Sequence, residues 1–195
     1  MENIPWSDMT WLNPPERAEI TGDVLEVVTG FETDFWRSTS YGFVHDNGHV
    51  LSAPLIGDRA IEVSFSGALI KPFDQAGLML RAGPELWVKA GVELSDGELL
   101  ASAVVTRGAS DWGVAPLPVG FPDQPLTIRA SRSRDSITLR YRVGEGRMHL
   151  LRVAYVPPEV ELAAGLMCCS PSRGGLAVRF APVRFGPPDD QLHKL

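Results

Sequence analysis

Side chains able to bind through charge, amide or ring surface recur at alternate positions of two neighbouring stretches. Gln75 and Arg81 stand in QAGLMLR, and Trp87, Lys89 and Glu93 in WVKAGVE. Successive residues of a strand point to opposite faces. Each stretch therefore reads as a strand whose other face is apolar, with Ala76, Leu78 and Leu80 on the first and Val88, Ala90 and Val92 on the second. The turn Ala82-Gly83-Pro84-Glu85 joins them. A flat ring beside amide, guanidinium and carboxylate groups suits a sugar: the ring packs on C–H groups and the polar groups take the hydroxyls. In an ordinary sandwich a mixed face meets bulk water. With Gly77 and Gly91 as spacers it could instead floor a concave cleft, which makes these five residues the leading ligand-binding candidates.

Two further stretches add to the set. TDFWR at 33–37 supplies Trp36, with Asp34 and Arg37 beside it, and Tyr41 follows. The Gly- and Pro-rich segment 107–123 reads as the longest loop and carries Ser110, Asp111 and Trp112; long loops inside compact domains are often functional. Trp36, Tyr41 and Trp112 would offer stacking surface, and Asp111 a hydroxyl acceptor.

Glycoside hydrolysis needs two carboxylates about 5–10 Å apart. The hairpin strand offers only Glu93, with Asp96 and Glu98 around the next turn, and nothing pairs it with Asp34, Asp74 or Asp111. Glu93 is thus the one candidate catalytic residue, and binding without turnover is the preferred reading. His45 and His49 flank Asp46-Asn47-Gly48 at a spacing that joins two metal ligands on a helix, not on strands. No Gly-x-Ser-x-Gly elbow is present. No metal, nucleophile triad or cofactor is expected.

The elements that must position these residues are short. Apolar alternation at 24–29, 60–66, 98–106, 125–132, 135–143, 147–155, 165–169 and 176–185 predicts strands, with two more at 33–51 turning at Asn47-Gly48. One short helical turn is expected at 157–163. Residues 1–19 read as an extended arm packing Trp6 and Trp11 onto the body, and 187–195 as a loosely held polar tail. With 195 residues and 44% hydrophobic content, the chain fits one all-β domain with a sizeable core.

The net charge of −6 argues against nucleic acid or an anionic membrane as the main partner. Arg129, Arg132, Arg134, Arg140 and Arg142 form the nearest basic patch, read as a solvated hairpin rather than a phosphate site. Neither a secretory signal nor a run of about 18 apolar residues is seen. Cys168 and Cys169 are adjacent, hence on opposite faces of a strand and expected to be reduced. A cytoplasmic protein is expected.

Nine stretches in order resemble the DUF1349 family: Trp11-Leu12-Asn13, TDFWR (33–37), YGF (41–43), DNGH (46–49), DQAGLMLR (74–81), WVKAGVE (87–93), VVTRGASDW (104–112), LRVAY (151–155) and GLMCCSP (165–171). The resemblance implies a concanavalin A-like jelly-roll sandwich of two antiparallel sheets, a fold that often binds or cleaves carbohydrate on its concave sheet. One branch of the family is linked to enolase, which implies an alternative role as a protein-interaction module acting on a metabolic enzyme. The expected function is therefore binding of a small carbohydrate or polyol, with that regulatory role and a Glu93-dependent sugar-active enzyme as alternatives.

Overall fold

The computed structural model describes residues 1–118 and 121–193. Val119 and Gly120 of the expected long loop, and Lys194 and Leu195 of the expected tail, lie outside the described residues. Alternating sequence produces two large antiparallel sheets. The nine-stranded sheet contains β1 (Glu2–Asn3), β3 (Arg17–Thr21), β4 (Val24–Val28), β8 (Ala60–Gly67), β13 (Leu126–Ser133), β14 (Ser136–Val143), β15 (His149–Tyr155), β17 (Ala177–Phe180) and β18 (Arg184–Gly186). The seven-stranded sheet contains β2 (Thr10–Leu12), β7 (His49–Leu55), β9 (Gln75–Gly83), β10 (Leu86–Ser95), β11 (Glu98–Arg107), β12 (Ala109–Pro116) and β16 (Leu162–Cys169). A third, two-stranded sheet pairs β5 (Phe35–Arg37) with β6 (Val44–Asp46).

The core lies where the two apolar faces meet. Ala76, Leu78, Leu80, Val88, Ala90 and Val92 from β9 and β10 pack with Ile61, Val63, Phe65, Leu126, Ile128, Ile137, Leu139 and Phe180 of the other sheet, every one of them 1% exposed or less. Burying each of the larger side chains contributes about 1.5–3 kcal/mol, so this seam, rather than any local propensity, holds the sandwich together. At the β10–β11 turn Asp96 and Gly97 both have positive φ, 52° and 81°, the conformation of a two-residue type I′ hairpin.

Registers of the central hairpin place Arg81 opposite Trp87, Met79 opposite Lys89, Gly77 opposite Gly91 and Gln75 opposite Glu93. At the glycine pair the strands come close: a Cβ on Gly77 would lie 2.0 Å from the Ala90 carbonyl oxygen, and one on Gly91 1.9 Å from that of Ala76. Any side chain there would push the strands apart.

Several expectations need correction. Residues 109–116 form edge strand β12 in full register with β11, not a loop; Gly108, at φ 75°, makes the turn. Pro and Gly mimic a loop there because an edge strand needs only one hydrogen-bonded side. Asn47-Gly48 does not close a hairpin: β6 pairs with β5, whereas β7 pairs with β16 and β2. The β5–β6 chain reversal falls at residues 38–43 instead, where the Ser38 N–H donates to the Phe43 carbonyl. Residues 157–160 make a single hydrogen-bonded turn, the Val160 N–H donating to the Pro157 carbonyl at 3.2 Å, but no helix follows, and β16 starts at Leu162. The arm does pack Trp6 and Trp11 against the core, but it also adds β1 and β2 to opposite sheets. The arginines of β13 and β14 are not solvated as a group: Arg132 is 5% exposed and donates to the Pro158 and Val160 carbonyls.

Candidate functional site

The expected cleft is the outer face of the seven-stranded sheet, and the β5–β6 hairpin lies across half of it. Phe35 is 0% exposed and sits 6.0 Å from Trp87, with Val50, Met79, Val104, Met167 and Cys169 around the pair. These side chains form a second apolar cluster on the far side of the sheet from the main core. Polar staples hold the hairpin down. The Arg37 guanidinium pairs with Glu85 and donates from Nε to the Gly108 carbonyl at 2.9 Å. The Arg37 N–H donates to Ser110 Oγ at 2.9 Å. Arg81 clamps Asp46 in a fork, at 2.8 and 2.7 Å.

Trp87 is consequently 2% exposed, and its indole N–H donates to the Pro84 carbonyl at 3.3 Å. It offers no open ring for a ligand, because Phe35 occupies the space above it. Arg81 is likewise engaged with Asp46 and faces the hairpin.

The other half of the face is polar and nearly closed. Lys89, 4% exposed, donates to the Phe35 carbonyl and to Gln75 Oε1, both at 2.7 Å, and lies 3.5 Å from Asp34. Gln75 donates to the Phe73 carbonyl at 3.2 Å and to Asp34 at 3.3 Å. Ser102 Oγ donates to Glu93 at 3.1 Å and accepts the Trp112 indole N–H at 3.0 Å. A void of about 10 Å³ remains among Gln75, Lys89, Gly91, Glu93, Ser102 and Met167, room for about one water. Burial pushes the Glu93 carboxyl above its ordinary range, against the opposing pull of the Lys89 charge and the Ser102 hydroxyl.

The remaining predicted residues separate. Trp112 lies opposite Val104, which lies opposite Lys89, so it shares the outer face at 40% exposure. Asp111 sits on the other face of β12 and pairs with Arg152 of β15 at 3.0 Å, bridging the edges of the two sheets. Trp36 and Tyr41 belong to an aromatic row on the hairpin. Trp36 meets Tyr41 edge-on at 5.8 Å, Tyr41 stacks on Phe43 at 5.3 Å and 11°, and His45 meets Phe43 edge-on at 4.6 Å. Tyr41 is 63% exposed and Val44 51%.

A second acid for Glu93 is hard to find. Asp74 is fully buried, held by Arg173 and by the Ile70 and Lys71 N–H groups, and Asp111 is turned away. Of the acids weighed as its partner, Asp34 shares the face. Phe35 and Ser102 carry no signal of this role in the sequence, the first because a three-residue strand has too few positions to show a period. His49 is structural: one ring nitrogen meets the Asn13 carbonyl at 2.6 Å and the other accepts the Gly30 N–H at 2.9 Å. Among the described residues, no three His, Cys, Asp or Glu side chains gather as metal ligands, and no helix is long and apolar enough to cross a membrane.

Two antiparallel sheets packed this way, with a small hairpin laid on one of them, define a lectin-like, concanavalin A-type sandwich. The likeness extends to a legume lectin-like domain from Entamoeba histolytica, with a TM-score of 0.63 at 8% identity, covering 94% of this chain and 91% of that one. Residues 11–188 match the family described as protein of unknown function DUF1349, and the chain belongs to that family. It is 34% identical over 180 residues to Regulation of enolase protein 1 of Saccharomyces cerevisiae, covering 92% of this chain and 90% of that protein. It is also similar to a crystal structure of a functionally unknown Saccharomyces cerevisiae protein, with a TM-score of 0.89 at 32% identity over 95% of this chain and 99% of that one.

Proposed function

We propose that this chain is a non-catalytic recognition module that acts on a protein partner through the β5–β6 hairpin. One observation carries the reading: the hairpin that closes the outer face with Phe35 also carries Tyr41, Phe43 and Val44 to solvent, 63%, 42% and 51% exposed. A sugar needs an open ring face. Here Tyr41 and Phe43 stack on each other, and Trp36 and His45 press their edges on the same pair. What is left outward is a compact aromatic knob. Clustered Tyr, Phe and Trp are the residues that dominate binding energy at protein interfaces. The Arg37 and Arg81 staples hold the knob in place, so little ordering entropy is lost on docking.

The relative's name points to enolase as the first partner to test. Binding of this chain to purified enolase from the same organism would be followed by calorimetry. The double substitution Tyr41→Ala and Phe43→Ala should weaken it at least tenfold with native circular dichroism and a melting temperature only slightly lowered, since the rings are 63% and 42% exposed and lie outside the two sheets. Retained affinity in that variant would sink the hairpin as the contact. Such a module would work in the cytoplasm beside its partner.

A second reading rests on Trp112, whose exposed ring is held over the Glu93–Ser102 pair by its own indole N–H. That corner could seat one edge of a small carbohydrate or polyol, with Gln75, Lys89 and Glu93 beneath. A thermal-shift screen against mono- and oligosaccharides, with Trp112→Ala as control, tests it; a ligand at about 100 times its Kd stabilises by roughly 2.7 kcal/mol.

A further inference from the structure

The outer face of the nine-stranded sheet carries a row of arginines on neighbouring strands. Arg129 of β13 lies opposite both Arg140 of β14 and Glu62 of β8, and Glu62 lies opposite Arg184 of β18. Three cations against one carboxylate would repel one another on a bare sheet. A second carboxylate arrives from the chain's own tail. Arg129 Nε donates to one Asp189 oxygen at 2.8 Å, and Arg140 Nη1 donates to the other. The Asp189 N–H donates to Ser131 Oγ at 2.8 Å. Farther along the tail, the Pro187 carbonyl accepts from Arg129 at 3.2 Å and the Leu192 carbonyl from Arg140 at 2.7 Å. The side chains of Arg129, Arg140 and Asp189 are only 14%, 12% and 21% exposed.

This is the geometry with which guanidinium pairs take a carboxylate or a phosphate. The tail that fills it brings little apolar hold, for Leu192 is 43% exposed and Pro187 is exposed too. Arg142 follows Arg140 on the same face of β14, and its Nε is buried without a hydrogen-bond partner among the described residues, so the row has donor capacity the tail leaves unused. We infer that Arg129 and Arg140 form a binding site for a two-oxygen anion, carboxylate or phosphate, which the chain's own Asp189 occupies, its N–H held by Ser131, and which an external anion enters by displacing residues 187–192.

Asp189→Asn in the full chain tests this, since it removes the charge and keeps the length. Exchange of the N–H at position 189, held by Ser131 Oγ in the parent, should speed up at least tenfold, and the variant should gain at least tenfold in affinity for the probe over the parent. Adding Arg140→Gln should abolish that gain. Two probes separate the sources. Inorganic phosphate reports a free anion or phosphoryl group. A peptide copying residues 186–193, GPPDDQLH, reports an acidic protein segment; a gain with either supports the site. A released tail with no gain for either probe, in a variant whose circular dichroism is native, would overturn it. So would exchange of the N–H at position 189 unchanged by Asp189→Asn, which would mean that the carboxylate does not hold the tail.

Discussion

Phe35→Ala separates a sealed sheet face from a loosely covered one. Phe35 is fully buried against Trp87 and its apolar neighbours, and truncating a buried Phe to Ala costs about 3–5 kcal/mol when the site cannot collapse. The hairpin hydrogen-bonds to no strand of the two main sheets through its ladder, so part of the loss can be met by local detachment, and 3 kcal/mol is the better expectation. In a domain of this size 1 kcal/mol moves the melting temperature by about 2–4 °C, giving a fall of roughly 6–12 °C. Scanning calorimetry reads that fall. Fluorescence, with Trp87→Phe as the subtraction background, should show the Trp87 emission moving to longer wavelength as water reaches the ring. Phe35→Leu, which keeps most of the volume, should lose less than half as much. A drop below about 2 °C in Phe35→Ala, with Trp87 emission unmoved, would refute the claim that Phe35 seals the face.

Two further outcomes follow from buried titrating groups. The folded-state pKa of Glu93 is raised by burial, so its ionisation penalises the fold: the penalty is absent below the ordinary carboxylate pKa and grows as pH rises towards the raised value. Glu93→Gln should therefore melt higher than the parent at pH 7 and converge with it near pH 4; a variant less stable than the parent at pH 7 would contradict the sign. Cys168 and Cys169 are both 0% exposed, and burial pushes both thiols far above the usual range. A thiol reagent should label neither in native buffer and both in denaturant, at a rate set by unfolding; rapid native labelling would contradict their placement.

The central hairpin was legible because alternation is a local property. Ala76, Leu78 and Leu80 must share a face whatever else the chain does, and so must Val88, Ala90 and Val92. Their opposites, Gln75, Lys89 and Glu93, then come together on the other side, as the structure has them. Adjacent Cys168 and Cys169 fall into different apolar clusters for the same reason. Edge strand β12 has the sequence of a loop because its Gly and Pro obey edge rules that periodicity does not encode.

What covers each face was beyond the reach of local pattern. Phe35 and Trp87 are 52 positions apart, Arg37 reaches Ser110 across 73, and Arg129 meets Asp189 across 60. A mixed strand face looks the same in sequence whether water, a ligand or another piece of the chain lies on it. The sequence by itself determined two-faced strands, the turn that joins β9 to β10 and the apolar faces of the core, because side-chain alternation follows from backbone geometry alone. Only the tertiary structure decided that the β5–β6 hairpin closes the cleft, sends the aromatic residues outward and leaves Asp189 among the arginines, because those outcomes depend on which distant surfaces fit and neutralise one another.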